Sequence, residues 1–302
     1  MEKPHILHLF TATEQVSPFD VNMAYDAGYD AVVPYTNVSL EQVAALTQDA
    51  IFSRGPKGVR RTGLFLGGRA TGLAADMLDA ARRAMVPPFE VSVFVDPSGA
   101  FTTAAAMIAA VEKQLAKAHA GGLEGKTVIL FGGSGPVGTA AAVLSAKAGA
   151  NVGIVAREDA TRARNTAQEC NRRYGVRIEA VEANTPALKK AMMQRAHIVL
   201  ATAKAGHRVV GSELLADARA LLVAADVNAV PPSGVEGLDA MDDGKALQSG
   251  SGKAVGIGAL AIGNIKYQTQ RGLLKTMLEA DKALYLNLPE ALQEARKHAG
   301  IA

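Results

Sequence analysis

Val128-Ile129-Leu130-Phe131-Gly132-Gly133-Ser134-Gly135-Pro136-Val137-Gly138 is the stretch that decides the fold. Four apolar residues in a row are expected of a buried strand. The glycines then turn the chain into Thr139-Ala140-Ala141-Ala142, the start of an alanine-rich helix. Gly133, Gly135 and Gly138 have the G-x-G-x-x-G spacing, which is specific to dinucleotide binding only in this strand–turn–helix setting. Each glycine has an expected task. Gly133 permits the tight turn, Gly135 lets backbone approach a pyrophosphate, and Gly138 lets helix and strand pack closely. With Ser134, Pro136 and Val137 between them, they form the first candidate cofactor site, where free amides at a helix N-terminus face an anion. The alternative is a glycine turn without a ligand.

The same unit continues outward from this loop. Strands are expected at Thr127 to Phe131, Val152 to Val155, Arg177 to Val181, Ile198 to Ala201 and Ala220 to Ala224, most of them separated by helical segments. That alternation is the pattern of a parallel sheet in an α/β fold. The second strand runs into Ala156-Arg157-Glu158-Asp159. An acidic residue there suits the ribose hydroxyls of NAD, whereas arginine suits the extra phosphate of NADP. Arg157 favours NADP, with Arg162 and Arg164 adding charge; Glu158 or Asp159 keeps NAD as the alternative. Thr202 and Ala203, in the small-residue loop after the fourth strand, suit close passage of the cofactor, with an ordinary connection as the alternative. Asn228 is placed to meet a nicotinamide amide, unless it serves the turn before Pro231-Pro232.

Upstream, a second α/β series is expected. Strands at His5 to Phe10, Ala31 to Tyr35, Thr62 to Leu66 and Phe89 to Asp96 alternate with helices. Ser17-Pro18-Phe19-Asp20 reads as a helix start, with Gly28 at its end. Ser39 and Gln42 are spaced as a capping box. A long helix from about Thr102 to Ala120 leads to Gly121-Gly122-Leu123-Glu124-Gly125, a natural punctuation between domains. The expected organisation is an N-terminal α/β substrate domain over 1–121, a Rossmann-type dinucleotide-binding domain over 122–254, and a helical segment over 255–302 that returns to the first domain.

Composition excludes several classes of function. The chain has 302 residues, 49% hydrophobic, and its 32 basic and 29 acidic residues leave a net charge of +3. That balance does not announce a nucleic-acid binder. No stretch is long and apolar enough for a bilayer, so no membrane partner is expected. A single cysteine, Cys170, rules out an intramolecular disulfide and fits a reducing cytoplasm. The six histidines form no zinc-like spacing, so no metal is expected.

Several further segments now fall into place. They are Ser17-Pro18-Phe19-Asp20-Val21-Asn22-Met23-Ala24, Leu46-Thr47-Gln48-Asp49-Ala50-Ile51-Phe52-Ser53-Arg54, Asp96-Pro97-Ser98-Gly99-Ala100-Phe101-Thr102-Thr103, Asp226-Val227-Asn228-Ala229-Val230-Pro231-Pro232 and Gly256-Ile257-Gly258-Ala259-Leu260-Ala261-Ile262-Gly263-Asn264-Ile265-Lys266-Tyr267. Together with the glycine loop, the chain resembles the bacterial NAD(P)-dependent methylene-tetrahydromethanopterin dehydrogenases over nearly its whole length. The resemblance implies oxidation of a methylene bridge on a reduced pterin to a methenyl bridge, with hydride passing to NADP or NAD, in formaldehyde oxidation. It also implies substrate in a cleft between two domains and a homo-oligomer, trimeric in its basic unit. Segments around Asp20 and Tyr267 look like the form that accepts both cofactors, while Arg157 departs toward the NADP-specific form.

That chemistry narrows the search for residues. Hydride leaves a carbon held between two nitrogens, whose lone pairs delocalise the resulting cation. No proton is removed in that step, so no general base is needed. The protein must align the reacting carbon, and a carboxylate can stabilise the developing charge. Asp20 and Lys266 are the candidate catalytic residues, with helix capping and a solvated helix position as their alternatives. Asp96, Thr102 and Thr103 are the candidate substrate residues, with capping of the long helix as the competing role. Two rivals remain: a methylene-tetrahydrofolate dehydrogenase, and a nicotinamide-binding module without turnover.

Overall fold

The structure, a computed structural model, describes residues 3–156 and 160–301. Its strands, in chain order, are β1 Ile6–Phe10, β2 Ala31–Tyr35, β3 Thr62–Leu66, β4 Ser92–Val95, β5 Thr127–Phe131 and β6 Asn151–Ala156. They continue with β7 Ile178–Glu182, β8 Ile198–Ala201, β9 Val223–Asp226, β10 Asp243–Ala246, β11 Val255–Ile257 and β12 Tyr285–Leu286. Two sheets result, one of five strands and one of seven.

The five-stranded sheet has the order β12-β4-β3-β1-β2 and is parallel throughout. Every residue of β3 and β4 is buried, as parallel strands covered on both faces require. At one edge, β2 is largely solvent-facing and carries Pro34, a residue that only an edge strand tolerates. From the C-terminal segment, β12 pairs with β4 at the other edge. The helix Pro18–Ala27 starts at Ser17, whose side chain makes no capping bond, and ends on Gly28 at φ 108°. Ser39 and Gln42 form the expected capping box, with the Ser39 N–H donating to Gln42 Oε1 at 2.9 Å.

The seven-stranded sheet has the order β10-β11-β9-β8-β5-β6-β7, parallel except for the β10/β11 pair. Its core lies under β5, β8 and β9, where Ile129, Val199 and Ala224 pack with Met193, Val210 and Leu221. The last strand of the expected series sits at Val223–Asp226, not Ala220 to Ala224. Its register is set by pairing with β8 and β11, and a run of small apolar residues has no end signal of its own. The three strands that sequence patterning missed, β10, β11 and β12, are only four, three and two residues long. They have no room for an alternation to show.

By their contacts the residues cluster into two compact units, 1–102 with 267–294 and 103–266 with 295–302. The divisions fall inside the helices Ala100–His119, Ala259–Glu279 and Leu288–Ala299, whereas glycine punctuation suggests 121 and sheet content places β11 past 254. Among the described residues, no helix is long and apolar enough to cross a membrane.

Candidate functional site

In each sheet the strand order reverses direction beside one strand. In the first sheet this happens at β1, which has β2 on one side and β3 on the other; in the second it happens at β5, between β6 and β8. Loops leaving the carboxyl ends of parallel strands part at such a point and open a crevice for ligands. Both crevices carry the residues of interest.

In the second unit the crevice beside β5 holds the glycine loop. Gly132, not Gly133, takes the left-handed conformation, with φ 79°. A Cβ on Gly132 would lie 2.5 Å from the backbone nitrogen of Ala203, so this glycine makes the turn and admits the β8 loop. Gly133 is excluded from any larger residue by Ile154, 2.9 Å from where its Cβ would be. The tight-turn role expected at Gly133 therefore belongs one residue earlier. Gly135 is the N-cap of the helix Pro136–Lys147, and its Cβ would meet only the Gly132 carbonyl, at 3.3 Å, leaving its other side open. A Cβ on Gly138 would come within 2.6 Å of Gly132 O, Gly133 Cα and Thr202 Oγ1, so the helix packs on the turn only through hydrogen. Because Pro136 has no N–H, the free first-turn amides are those of Val137 and Gly138. This cradle fits a dinucleotide pyrophosphate.

The loop's neighbours are fixed in place. Thr202 donates both its N–H, at 2.8 Å, and its hydroxyl, at 3.0 Å, to the Phe131 carbonyl. Its side chain thereby ties β8 to β5. Asn228 Oδ1 accepts from the N–H groups of Gly206 (3.1 Å) and Val230 (3.0 Å), and its Nδ2 donates to Pro232 O at 2.9 Å. Both ends of this amide hold the loops together. Below it, buried Asp226 accepts from Asn228, Gly234 and Val235 N–H groups. Burial raises its pKa, against the three backbone donors that lower it. Sequence reading missed Asp226 because a lone carboxylate at a strand end has no pattern. Arg162, in the first turn of the helix Ala160–Tyr174, donates from Nη2 to Ser134 O at 3.3 Å and brings a cation to the rim of the glycine loop. Arg164 is held away by Glu182, at 2.5 Å. Arg157, with Glu158 and Asp159, lies outside the described residues.

In the first unit the crevice beside β1 is a polar cavity of about 660 Å³ lined by, among others, Thr11, Ser17, Asp20, Asn37, Arg69 and Ser98. Asp20 is only 4% exposed, and its Oδ1 accepts from Gln270 Nε2 at 2.8 Å. Its carboxylate is thus engaged by a side chain from the helix Ala259–Glu279. The Thr13 hydroxyl donates to Gln15 O at 2.7 Å, so the Thr11–Thr13 contact of 2.7 Å has Thr11 as donor, and this ordered pair shapes the loop after β1.

Asp96, Thr102 and Thr103 are not brought to the lining of this cavity. Asp96 and Thr102 are both fully buried. Asp96 Oδ1 accepts from the N–H groups of Phe101 (2.9 Å) and Thr102 (3.2 Å), and Oδ2 from the Thr102 hydroxyl at 2.6 Å. A carboxylate at the orphan amides of a helix start is stabilised there by the helix dipole. Thr103 is half-buried in the second unit, as is Lys266 on the helix Ala259–Glu279. Arg69, Asn37 and Gln270 were missed in the sequence, since each depends on which loops meet. The Gly67-Gly68 break after β3 is the one local signal that a loop there comes close to something.

The profile of the methylene-tetrahydromethanopterin dehydrogenase N-terminal region matches residues 18–98, which include Asp20, Asn37 and Arg69. An NAD(P)-dependent methylenetetrahydromethanopterin dehydrogenase of Methylorubrum extorquens is 45% identical over 98% of this chain and 99% of its own. The bifunctional protein MdtA of the same organism is 32% identical over 93% of this chain and 94% of its own. Solved structures support the fold alone. A 5-ketofructose reductase of Gluconobacter sp. aligns at 18% identity and TM-score 0.53, over 98% of this chain and 99% of that one. A shikimate 5-dehydrogenase of Listeria monocytogenes aligns at 13% identity and TM-score 0.52, over 93% of each chain.

Proposed function

The chain belongs to the family of NAD(P)-dependent methylenetetrahydromethanopterin dehydrogenases, and from that premise we propose how its own residues serve the family's reaction. The chain oxidises methylene-tetrahydromethanopterin to the methenyl form, passing hydride to a nicotinamide. The observation that carries this reading to the residues is the buried Asp20 lining a polar cavity of about 660 Å³ at the strand-order reversal of the first sheet.

Asp20 stands as the anion that favours positive charge as it develops between the two pterin nitrogens. A carboxylate fixed before the reaction needs no reorganisation to do this. Gln270 holds it, and the Asp96–Thr102 pair supports the Ser98 turn from below. Lys266 orients substrate and is not a base, since hydride loss removes no proton. Gly133 to Gly138, Thr202 and Ala203 hold the dinucleotide, and Asn228 keeps the loop beside it in shape. When bound, the nicotinamide supplies the hydride acceptor. NADP is preferred over NAD: Arg162 already stands at the glycine loop, and Arg157 precedes it in the sequence. A cytoplasmic homo-oligomer with a trimeric unit, working in formaldehyde oxidation, completes the reading. The free and buried Cys170, its thiol pushed up to about 11 by burial and by Glu169, accords with a reducing setting.

The test follows absorbance at the reduced-nicotinamide band, with methylene-tetrahydromethanopterin and methylene-tetrahydrofolate offered in parallel and NADP and NAD each supplied. Reduction with the methanopterin substrate, faster with NADP, is expected. Reduction with the folate alone, or with neither from protein that binds the cofactor, overturns the assignment.

A further inference from the structure

Three described residues other than glycine hold a left-handed backbone: Asn37 at φ 54°, Ser98 at φ 53° and Ala120 at φ 49°. Asn37 and Ser98 line the same cavity as Asp20. Backbone strain of this kind concentrates where a site needs a side chain aimed. Ser98 has a structural use for its conformation, because its hydroxyl donates to Gly68 O at 2.7 Å and joins the loops after β3 and β4. The Asn37 backbone is held from both sides: its N–H donates to Thr13 O and the Val38 N–H to Thr11 O, each at 3.0 Å. Its side chain is exposed and makes no hydrogen bond to any described residue. The loop after β1 thus clamps Asn37 in a left-handed conformation and leaves its amide unused among the described residues.

A primary amide offers an N–H donor and a C=O acceptor side by side. Its complement is a group with C=O beside N–H, which is the lactam edge of a pterin's pyrimidinone ring. Asparagine reads the paired donor and acceptor of adenine in the same two-bond fashion. We propose that Asn37 pairs with the lactam edge of the pterin and so fixes which way round the ring lies in the cavity. The proposal rests on the reading that this cavity takes the reduced pterin.

Two variants separate that role from turn formation, because asparagine is also the side chain that best tolerates a left-handed backbone. Asn37→Gly adopts φ 54° without strain and removes the amide. Asn37→Asp keeps the shape but has acceptors only. With the wild-type chain turning over methylene-tetrahydromethanopterin, each variant is expected to raise the KM for the pterin about tenfold or more, the loss typical of a two-bond contact. The KM for the nicotinamide and the melting temperature of Asn37→Gly should hold or improve. A wild-type pterin KM in either variant overturns the inference and leaves the cavity reading standing. Equal rises in both KM values, or a lowered melting temperature in both variants, identify a scaffold residue and also overturn it. A wild-type chain with no turnover of the pterin removes the cavity reading and this inference with it.

Discussion

Gln270 Nε2 lies 2.8 Å from Asp20 Oδ1, joining two buried side chains 250 positions apart in the sequence. A buried hydrogen bond of this kind helps hold the carboxylate in orientation, and breaking it costs stability. Asp20→Asn keeps the shape and can still bond Gln270, but it removes the charge. It is expected to lower kcat about 100-fold, the scale of losing one preorganised electrostatic group, with the melting temperature within a few degrees of wild type. Steady-state kinetics with methylene-tetrahydromethanopterin check this; an unchanged kcat removes Asp20 from the reaction. Gln270→Ala should lower kcat less and lower stability by roughly 1–3 kcal/mol, because it removes a buried hydrogen bond to the carboxylate.

The glycine loop makes a sharper steric prediction. An added Cβ at Gly138 would lie 2.6 Å from Gly132 O, Gly133 Cα and Thr202 Oγ1, and only movement of the turn relieves the clash. Gly138→Ala should weaken dinucleotide binding at least tenfold by titration calorimetry and cost about 1–3 kcal/mol in urea unfolding, the range for overpacking. Tight binding in this variant would show that the loop does not cradle the cofactor.

Cofactor choice turns on the cation at the rim. Arg162 reaches Ser134 O at 3.3 Å, whereas Arg164 is paired with Glu182 at 2.5 Å. Arg162→Ala is expected to raise the KM for NADP about tenfold while changing that for NAD less than twofold, as loss of a charge-assisted contact to the extra phosphate would. Arg164→Ala serves as the control and should leave the ratio alone. Equal effects on both cofactors would place Arg162 at the pyrophosphate.

Two histidines make stability depend on pH. Burial, then the charge of Arg54, holds the His8 imidazole below its ordinary value of 6.5. Burial, then Lys126 and Lys253, does the same for His197. A folded state that binds the proton less tightly than the unfolded one gains stability as pH rises. That contribution is full above the unfolded value of 6.5 and is lost as pH falls through the lower folded values. Melting temperatures measured from pH 8 down to about 5 should therefore fall, and the fall should be shallower in His8→Gln. An identical slope in that variant would show that His8 carries none of it.

Asp226→Asn exchanges one acceptor oxygen for a donor beside the N–H groups of Gly234 and Val235 or that of Asn228. Stability should fall by roughly 1–3 kcal/mol, the cost of unmet buried polar groups. Denaturant unfolding checks this, and a wild-type midpoint would show that the loop after β9 does not depend on the carboxylate.

Local chemistry accounts for what could be read in advance. The apolar run of β5, the glycine spacing after it, the Ser39–Gln42 box and the Gly28 helix end all act within one or two turns of chain, so their residue types sufficed. Both α/β series and most strand positions follow from the same short-range patterning. Where the local signal is weak the structure departs from it: the turn sits at Gly132 although the motif's spacing begins at Gly133, and β9 begins three residues later in its run of small apolar residues than patterning suggests.

The sequence by itself determined the α/β class, the strand–glycine-turn–helix unit and, through its family motifs, the reaction. Tertiary structure decided which side chains share a cavity. Asp20 faces Gln270 across 250 residues, Asn37 is clamped by the loop of Thr11 and Thr13, and Asp96 turns inward to Thr102 instead of lining the cavity. The physical reason is reach. Propensity and spacing act over a few residues, whereas strand order brings distant loops to one sheet edge, and only there does a carboxylate meet its partners.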